Sequence, residues 1–261
     1  MKKLRRAEKF NVSLEITDDE FVKPPSEYQR NSVLNRAMSE FCEDLNALDD
    51  LTREFIAATP VLDLQDRLDA ELLDEEIMED WQIPVLDRMA KAVTRSRGDV
   101  LEIGFGLGKS AEMIQKYGAR SHTIIECNSS VIGRFREWVK EFPGRNISII
   151  EGTWQETINE TPVYDGILFH TYPLNEEEYV EYVANSTTFA EHFFQAAADH
   201  LHEGGVFTYF SNEIDSLSRG HQRALFEYFS SITESVVQLD IAEDVKDTWW
   251  SNKMVVVEAV K

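Results

Sequence analysis

The apolar positions of the chain follow two different periods, and the change falls near Gly98. Upstream, Val33, Leu34, Met38, Phe41, Leu45, Leu48, Leu51, Phe55 and Ile56 recur at three- and four-residue steps between Ser32 and about Ala58. That period predicts one or two amphipathic helices, whose apolar stripe suits a cap over a site or the surface of a homodimer. A second helical stretch, dense in Asp and Glu, is predicted from about Leu64 to Val93, with Pro84 marking a kink or a new helix start. Residues 1–30 carry many charges and the Pro24-Pro25 pair, which predicts an extended arm outside the core.

Downstream, short apolar runs alternate with helical stretches. DVLEIGFG reads as a strand running into glycines, SAEMIQKYG as a helix closed by Gly118, SHTIIEC as a second strand and VIGRFREWVKEF as a helix. ISIIEG and DGILFH read as the third and fourth strands, TTFAEHFFQAAADHL as a helix, Gly204-Gly205 as a turn and VFTYF as a further strand. A helix around Gln222 to Ser230 and a final strand KMVVVEAV complete the pattern. Strands alternating with helices pair in parallel through βαβ crossovers. The fold class predicted is therefore α/β, a Rossmann-like doubly wound sheet over residues 96–261. A helical N-terminal extension over residues 1–95 is expected to cap the active site.

Composition narrows the function classes. The chain's 261 residues suffice for one such domain with an extension, and no apolar run reaches the roughly 20 residues of a membrane helix. The basic start MKKLRRAEKF is followed by no apolar segment of the kind a secretory signal needs, so a cytoplasmic protein is expected. A net charge of −22 repels a phosphate backbone, which argues against nucleic acid as a partner; a solvated acidic surface is the plainer meaning of that charge. Cys42 and Cys127 form neither a disulfide framework nor a zinc cluster. His122, His192, His200, His202 and His221 lack metal-ligand spacing and read as surface or helix histidines, so no metal is expected. The acidic run DEEIMED reads as a solvated helix face.

The segment Glu102-Ile103-Gly104-Phe105-Gly106-Leu107-Gly108 leaves a strand and enters a helix, where glycines let the backbone turn tightly and approach a ligand. It is not a P-loop, because counting back from Gly108-Lys109-Ser110 puts Ile103 where the first glycine should stand. It is not the dinucleotide fingerprint either, since Lys109 falls on the third glycine position. The acidic-x-Gly-x-Gly-x-Gly pattern fits without adjustment. It is similar to the loop that class I methyltransferases, with their mostly parallel seven-stranded sheet, place around the methionine part of S-adenosylmethionine. Glu126 ends the second strand about twenty residues later, where an acid accepts hydrogen bonds from ribose hydroxyls. Trp154, after the third strand, fits either against adenine or in the core.

With these residues in hand, the chain resembles the guanidinoacetate N-methyltransferase group, which includes related arginine N-methyltransferases of fungi and plants. The resemblance runs from about Ile77 to Val260 and is carried by IMEDWQIP, VLEIGFGLG, HTIIECN, EGTWQET and DGILFHTYPL. It implies that Phe105, Gly106, Leu107, Gly108, Lys109 and Ser110, following Gly104, wrap the methionine end of the cofactor. It further implies Glu126, Cys127 and Asn128 around the ribose and adenosine, Trp154 and Gln155 on the adenine side, and Met78 and Leu86 as apolar neighbours. In the resembled enzymes a Glu and an Asp grip the guanidinium; here those positions hold Gln82 and His170. Replacing both acids removes the bidentate charge complement that a guanidinium favours, so guanidinoacetate is not the expected acceptor.

Methyl transfer from a sulfonium is an in-line displacement in which the protein orients the acceptor and gives its proton a path. His170, at the carboxyl end of the fourth strand, is the expected general base or acceptor-orienting residue; the plainer alternative is a histidine that only holds cofactor or backbone. Trp81, Gln82, Thr171 and Tyr172 are expected around a small-molecule acceptor. Tyr209, Phe210, Asn212 and the Trp249-Trp250 pair either add walls to that pocket or simply pack. Three rivals stay open. One keeps a guanidino or amine acceptor with acids recruited from elsewhere, such as Glu213 or Asp215. Another is C-methylation of an isoprenoid-like acceptor, and the third is a non-catalytic binding protein that docks through its N-terminal helix.

Overall fold

The computed structural model describes residues 67–184, 186–241 and 251–261. The helix expected over 32–58, the arm before it and the Trp249-Trp250 pair lie outside the described residues. The stretch predicted as helical up to Val93 divides into a single-turn helix α1 (Asp74–Ile77), a 3-10 turn (Asp80–Gln82) and α2 (Ile83–Val93). Pro84 lies in the first turn of α2, where its missing N–H has no helical partner to lose, so it starts a helix rather than kinking one. Leu86, Met89, Ala90 and Val93 form the buried face of α2 at three- and four-residue steps.

Seven strands follow among the described residues: β1 (Asp99–Ile103), β2 (Ser121–Glu126), β3 (Ile147–Glu151), β4 (Tyr164–Phe169), β5 (Leu201–Tyr209), β6 (Ser231–Gln238) and β7 (Lys253–Val260). They form one sheet in the order β3-β2-β1-β4-β5-β7-β6. Strands β1 to β5 are parallel, and β7 runs antiparallel between β5 and β6. Chain order reverses between β1 and β4, the switch point at which open α/β sheets bind ligands beside the carboxyl ends of their strands.

Helices fill both faces. The first crossovers are α3 (Lys109–Tyr117), closed by Gly118 at φ 90°, and α4 (Ser129–Trp138); the short α5 (Trp154–Thr157) follows β3. After β4 come α6 (Glu176–Tyr179), a π-helical turn, a 3-10 turn (Phe189–Phe193) and α7 (Phe194–Asp199); α8 (Arg219–Phe226) follows β5. Alternation along the strands separates the layers. Phe207 and Tyr209 meet Phe194 of α7, whereas Gly166, in register with Val206, lies against Val93 of α2. The helices α2 and α7 therefore cover opposite faces.

Several local expectations are corrected. The strand β6 was absent from the sequence reading because SITESVVQ has no apolar run; its side chains alternate between exposed and half-buried, as an edge strand allows. Gly204 and Gly205 belong to β5 instead of preceding it, at an irregularity in the β4–β5 register. The helix expected from Thr187 to Leu201 is half 3-10 turn and half α7, and α8 starts three residues before Gln222. His122, expected at the surface or on a helix, is fully buried in β2. Among the described residues no helix is long and apolar enough to cross a membrane.

Candidate active site

The carboxyl ends of β1, β2, β3 and β4 open into one cleft. Backbone pairing continues past the strand ends: Gly104 N–H donates to Ile125 O (2.9 Å), Gly152 N–H to Glu126 O (2.9 Å) and His170 N–H to Ile103 O (3.1 Å). Gly104, Gly106 and Gly108 hold φ angles of 87°, 54° and 74°, a region that favours glycine. At Gly104 a Cβ would also lie 2.5 Å from the His170 carbonyl oxygen, so no side chain fits between the two loops. The Phe105 ring is buried away from the cleft, edge-on to Phe135 and Trp138 with centroids 5.4 and 5.3 Å away.

Glu126 holds the same loop from the β2 side. Its Oε2 accepts the Phe105 N–H, and its Oε1 accepts those of Cys127 and Asn128, all at 2.9 Å. Each carboxylate oxygen can accept two hydrogen bonds, so Oε2 keeps capacity for a ligand hydroxyl. Beside it, burial pushes the Cys127 thiol up to about 12, which keeps it protonated and unreactive at neutral pH. The Asn128 side chain is committed to the protein. Its Oδ1 accepts Ser130 N–H (2.9 Å) and Val131 N–H (3.1 Å), capping α4, and its Nδ2 donates to Arg67 O (2.6 Å) and Ala70 O (2.8 Å). Arg67 in turn donates its N–H to Leu174 O (2.8 Å) and places its guanidinium 4.9 Å from the Tyr172 ring centroid, so this segment straps the β2 and β4 loops together. The Ser110 hydroxyl donates to buried Glu102, which lies 2.9 Å from His122 Nε2.

Of the residues singled out in the sequence, Gly104, Glu126, Cys127, Trp154, Gln155, Thr171 and Tyr172 come together as walls of this cleft. Trp154 packs edge-on against Phe193 at 4.9 Å. Met78, Leu86, Gly106, Leu107, Gly108, Lys109, Ser110 and Asn128 do not line it; Met78 and Leu86 are buried instead. Gly104 at positive φ, a carboxylate with spare acceptor capacity at the end of β2 and an indole at the end of β3 are groups that S-adenosylmethionine would require of this cleft.

A second cluster lies toward α2. The His170 ring centroid is 5.3 Å from that of Phe210, and Phe210 is 6.2 Å from Trp81. Burial lowers the His170 imidazole to about 4, so it is neutral at pH 7. Trp81 is 7% exposed, and neither its Nε1 nor the buried Oε1 of Gln82 has a hydrogen-bond partner among the described residues. Each such atom costs about 1–3 kcal/mol, a penalty that a bound molecule with complementary groups would lift. Glu213 and Asp215 are engaged elsewhere. Glu213 Oε1 accepts the Ser218 N–H (3.2 Å) and faces His221 Nδ1 (3.3 Å), while Asp215 pairs with Lys253 Nζ at 3.3 Å.

A family model described as guanidinoacetate N-methyltransferase matches residues 45–224. The chain belongs to that family. The family's description is that of a methyltransferase, an enzyme class that takes its methyl group from S-adenosylmethionine. Among curated proteins it is similar to protein arginine N-methyltransferase 2 of Kluyveromyces lactis, 32% identical over 37% of this chain and 26% of the relative. The namesake from Aspergillus fumigatus is 26% identical over 69% of this chain and 39% of its own length. The chain thus spans about a quarter to two-fifths of these relatives. Solved structures share the fold. A protein from Streptococcus mutans assigned as an S-adenosylmethionine-dependent methyltransferase has a TM-score of 0.51 at 13% identity, over 70% of this chain and half of the other. A second assigned methyltransferase, solved with S-adenosylhomocysteine, has a TM-score of 0.52 at 14% identity over the same shares.

Two ionisable residues of the cleft escaped sequence reasoning. Glu178 of α6 reaches the wall beside Gln155, and His192, lowered to about 4 by burial, stacks on Tyr182 at 4.2 Å and lines the same cleft. Glu178 sits in the run Glu176-Glu177-Glu178, whose composition alone reads as a solvated helix start. What distinguishes it from its neighbours is its place beside Gln155 and Leu174 in the cleft wall.

Proposed function

We propose that this chain methylates a small, uncharged or anionic metabolite, with His170 as general base or acceptor-orienting residue. The observation that carries the reading is the cluster on the α2 side: a neutral imidazole beside Phe210 and Trp81, with Trp81 Nε1 and Gln82 Oε1 buried and unpartnered. S-adenosylmethionine supplies an electrophilic methyl group on a sulfonium; the remaining requirements fall on the chain. Trp81 Nε1 donates to a lone pair of the acceptor, Gln82 Oε1 accepts from its N–H or O–H, and together they fix its orientation before transfer. The nucleophile's proton becomes more acidic as positive charge builds on the methylated atom, and His170 then takes it or directs it to water. Thr171 and Tyr172 link this cluster to the cofactor cleft, where Gly104, Glu126, Trp154 and Gln155 serve as cofactor contacts. The proposed setting is cytoplasmic, without nucleic-acid or membrane partners; the net charge of −22 supports the first exclusion.

The names of the curated relatives favour a second reading, in which a protein arginine is the acceptor. Its guanidinium would meet Gln82 and His170 in place of a carboxylate pair, which weighs against it.

S-adenosylhomocysteine release, measured with guanidinoacetate, arginine, an arginine-rich peptide, simple amines, phenols, 2-oxo acids and prenyl diphosphates, separates these readings. Turnover confined to uncharged or anionic acceptors is expected. Turnover with guanidinoacetate, arginine or the peptide would mean that carboxylates reach the acceptor from elsewhere and would overturn the proposal. With the productive acceptor, His170→Ala should lower kcat/KM by roughly 10²- to 10⁴-fold; a rate near wild type would remove His170 from the chemistry.

A further inference from the structure

We propose that Glu178 selects the adenine base of the cofactor through its 6-amino group. The proposal rests on the placement of Trp154 and Gln155 on the adenine side. With the ribose at Glu126 on the end of β2, the base extends toward the end of β3, where Trp154 and Gln155 stand at the start of α5. Glu178 lines the same cleft from α6, a different part of the chain.

The two oxygens of Glu178 have different duties. Oε2 accepts the Leu174 N–H at 2.9 Å, which anchors the carboxylate to the loop that follows β4. Oε1 lies 3.5 Å from Gln155 Nε2, at the outer limit of a hydrogen bond, and so retains capacity for a stronger donor. The charge is felt across the cleft, since it is one of the influences that raise the Cys127 thiol. An ionised carboxylate only accepts hydrogen bonds. Adenine offers an N–H donor at its 6-position, whereas hypoxanthine offers a carbonyl oxygen there, which faces the carboxylate acceptor to acceptor. Gln155, held by Glu178 through Nε2, has its own carbonyl oxygen left to share the amino group's second hydrogen.

The test is calorimetric affinity of the full chain for S-adenosylhomocysteine and for S-inosylhomocysteine, which differs at that position. The wild type should prefer the adenosyl compound by roughly 10- to 100-fold, the range for a hydrogen bond to a charged group. Glu178→Gln, which keeps an acceptor for the Leu174 N–H and adds an N–H that can meet a carbonyl, should bring the two affinities within about threefold. Trp154→Ala should weaken both ligands by the same factor. A wild type without preference, or a ratio unmoved by Glu178→Gln, overturns the role of Glu178, and the first comparison needs no variant to fold. Unchanged affinities in Trp154→Ala would instead overturn the placement of the base on which the proposal rests.

Discussion

Around the ends of β1 and β2 the groups that hold the loops already have partners, although Glu102 Oε2 and His122 Nε2, 2.9 Å apart, make no hydrogen bond. Glu126 accepts three backbone N–H groups, both ends of the Asn128 side chain are bonded, and the Ser110 hydroxyl is given to Glu102. Around the ends of β4 and β5, Trp81 Nε1 and Gln82 Oε1 are buried without partners among the described residues, near a neutral His170. The first region has the bonding of a finished frame, as the proposed cofactor role requires. On the proposed reading the second is a chamber completed by the acceptor, since unpaired groups reject molecules that fail to match them. Damage to the frame should therefore appear in stability and cofactor affinity together, and damage to the chamber in turnover alone.

Gly104→Ala should give the largest effect. The new Cβ meets the His170 carbonyl oxygen at 2.5 Å with φ near 87°, so destabilisation of about 3 kcal/mol and loss of measurable S-adenosylhomocysteine binding are expected. Urea unfolding and calorimetry would show it, and a stable variant that still binds would break the idea of a rigid frame. Glu126→Ala should follow at about 2 kcal/mol, because three amides lose a charged acceptor, with cofactor affinity falling alongside. Unaltered affinity would mean that Glu126 shapes the loop without touching the ribose.

The third expected effect is on acid stability. His170 and His192 are both held near 4 by burial, below their usual 6.5, so the unfolded chain binds more protons in that interval. Stability is then fully present above about pH 6.5 and declines as the pH falls toward 4. His170→Gln should flatten part of that decline in urea titrations across the range; an unchanged slope would argue that the imidazole is protonated in the fold. The smallest change sharpens the contrast most. Gln82→Met removes the unpartnered carbonyl at similar volume, so stability should stay level or rise by up to about 1 kcal/mol while turnover drops. A marked loss of stability would show that Gln82 belongs to the frame.

The fold was largely readable along the chain, since buried parallel strands such as β1 and β4 are short, mostly apolar segments bordered by glycine or polar residues. What escaped was β6, an edge strand whose half-exposed alternation carries no apolar run, and the split of the 187–201 segment into a 3-10 turn and α7. Part of the lining of the candidate cleft was readable too. Glycines at positive φ and an acid that ends the second strand are local features, and they led to Gly104 and Glu126. Asn128 illustrates the limit: its neighbours suggest a ribose contact, yet its Nδ2 bonds Arg67 and Ala70, about sixty residues earlier.

Sequence alone determined the parallel strands, the glycine turn and the resemblance to the family, because each rests on residues adjacent in the chain and on backbone preferences that act within a few positions. Only the tertiary structure decided which polar groups are taken and which still lack a partner. Glu178 and His192 reach the candidate cleft, and Trp81 meets Phe210, through contacts between segments far apart in sequence. The free energy of a buried polar atom depends on the partner that folding brings to it, and a one-dimensional pattern does not specify that partner.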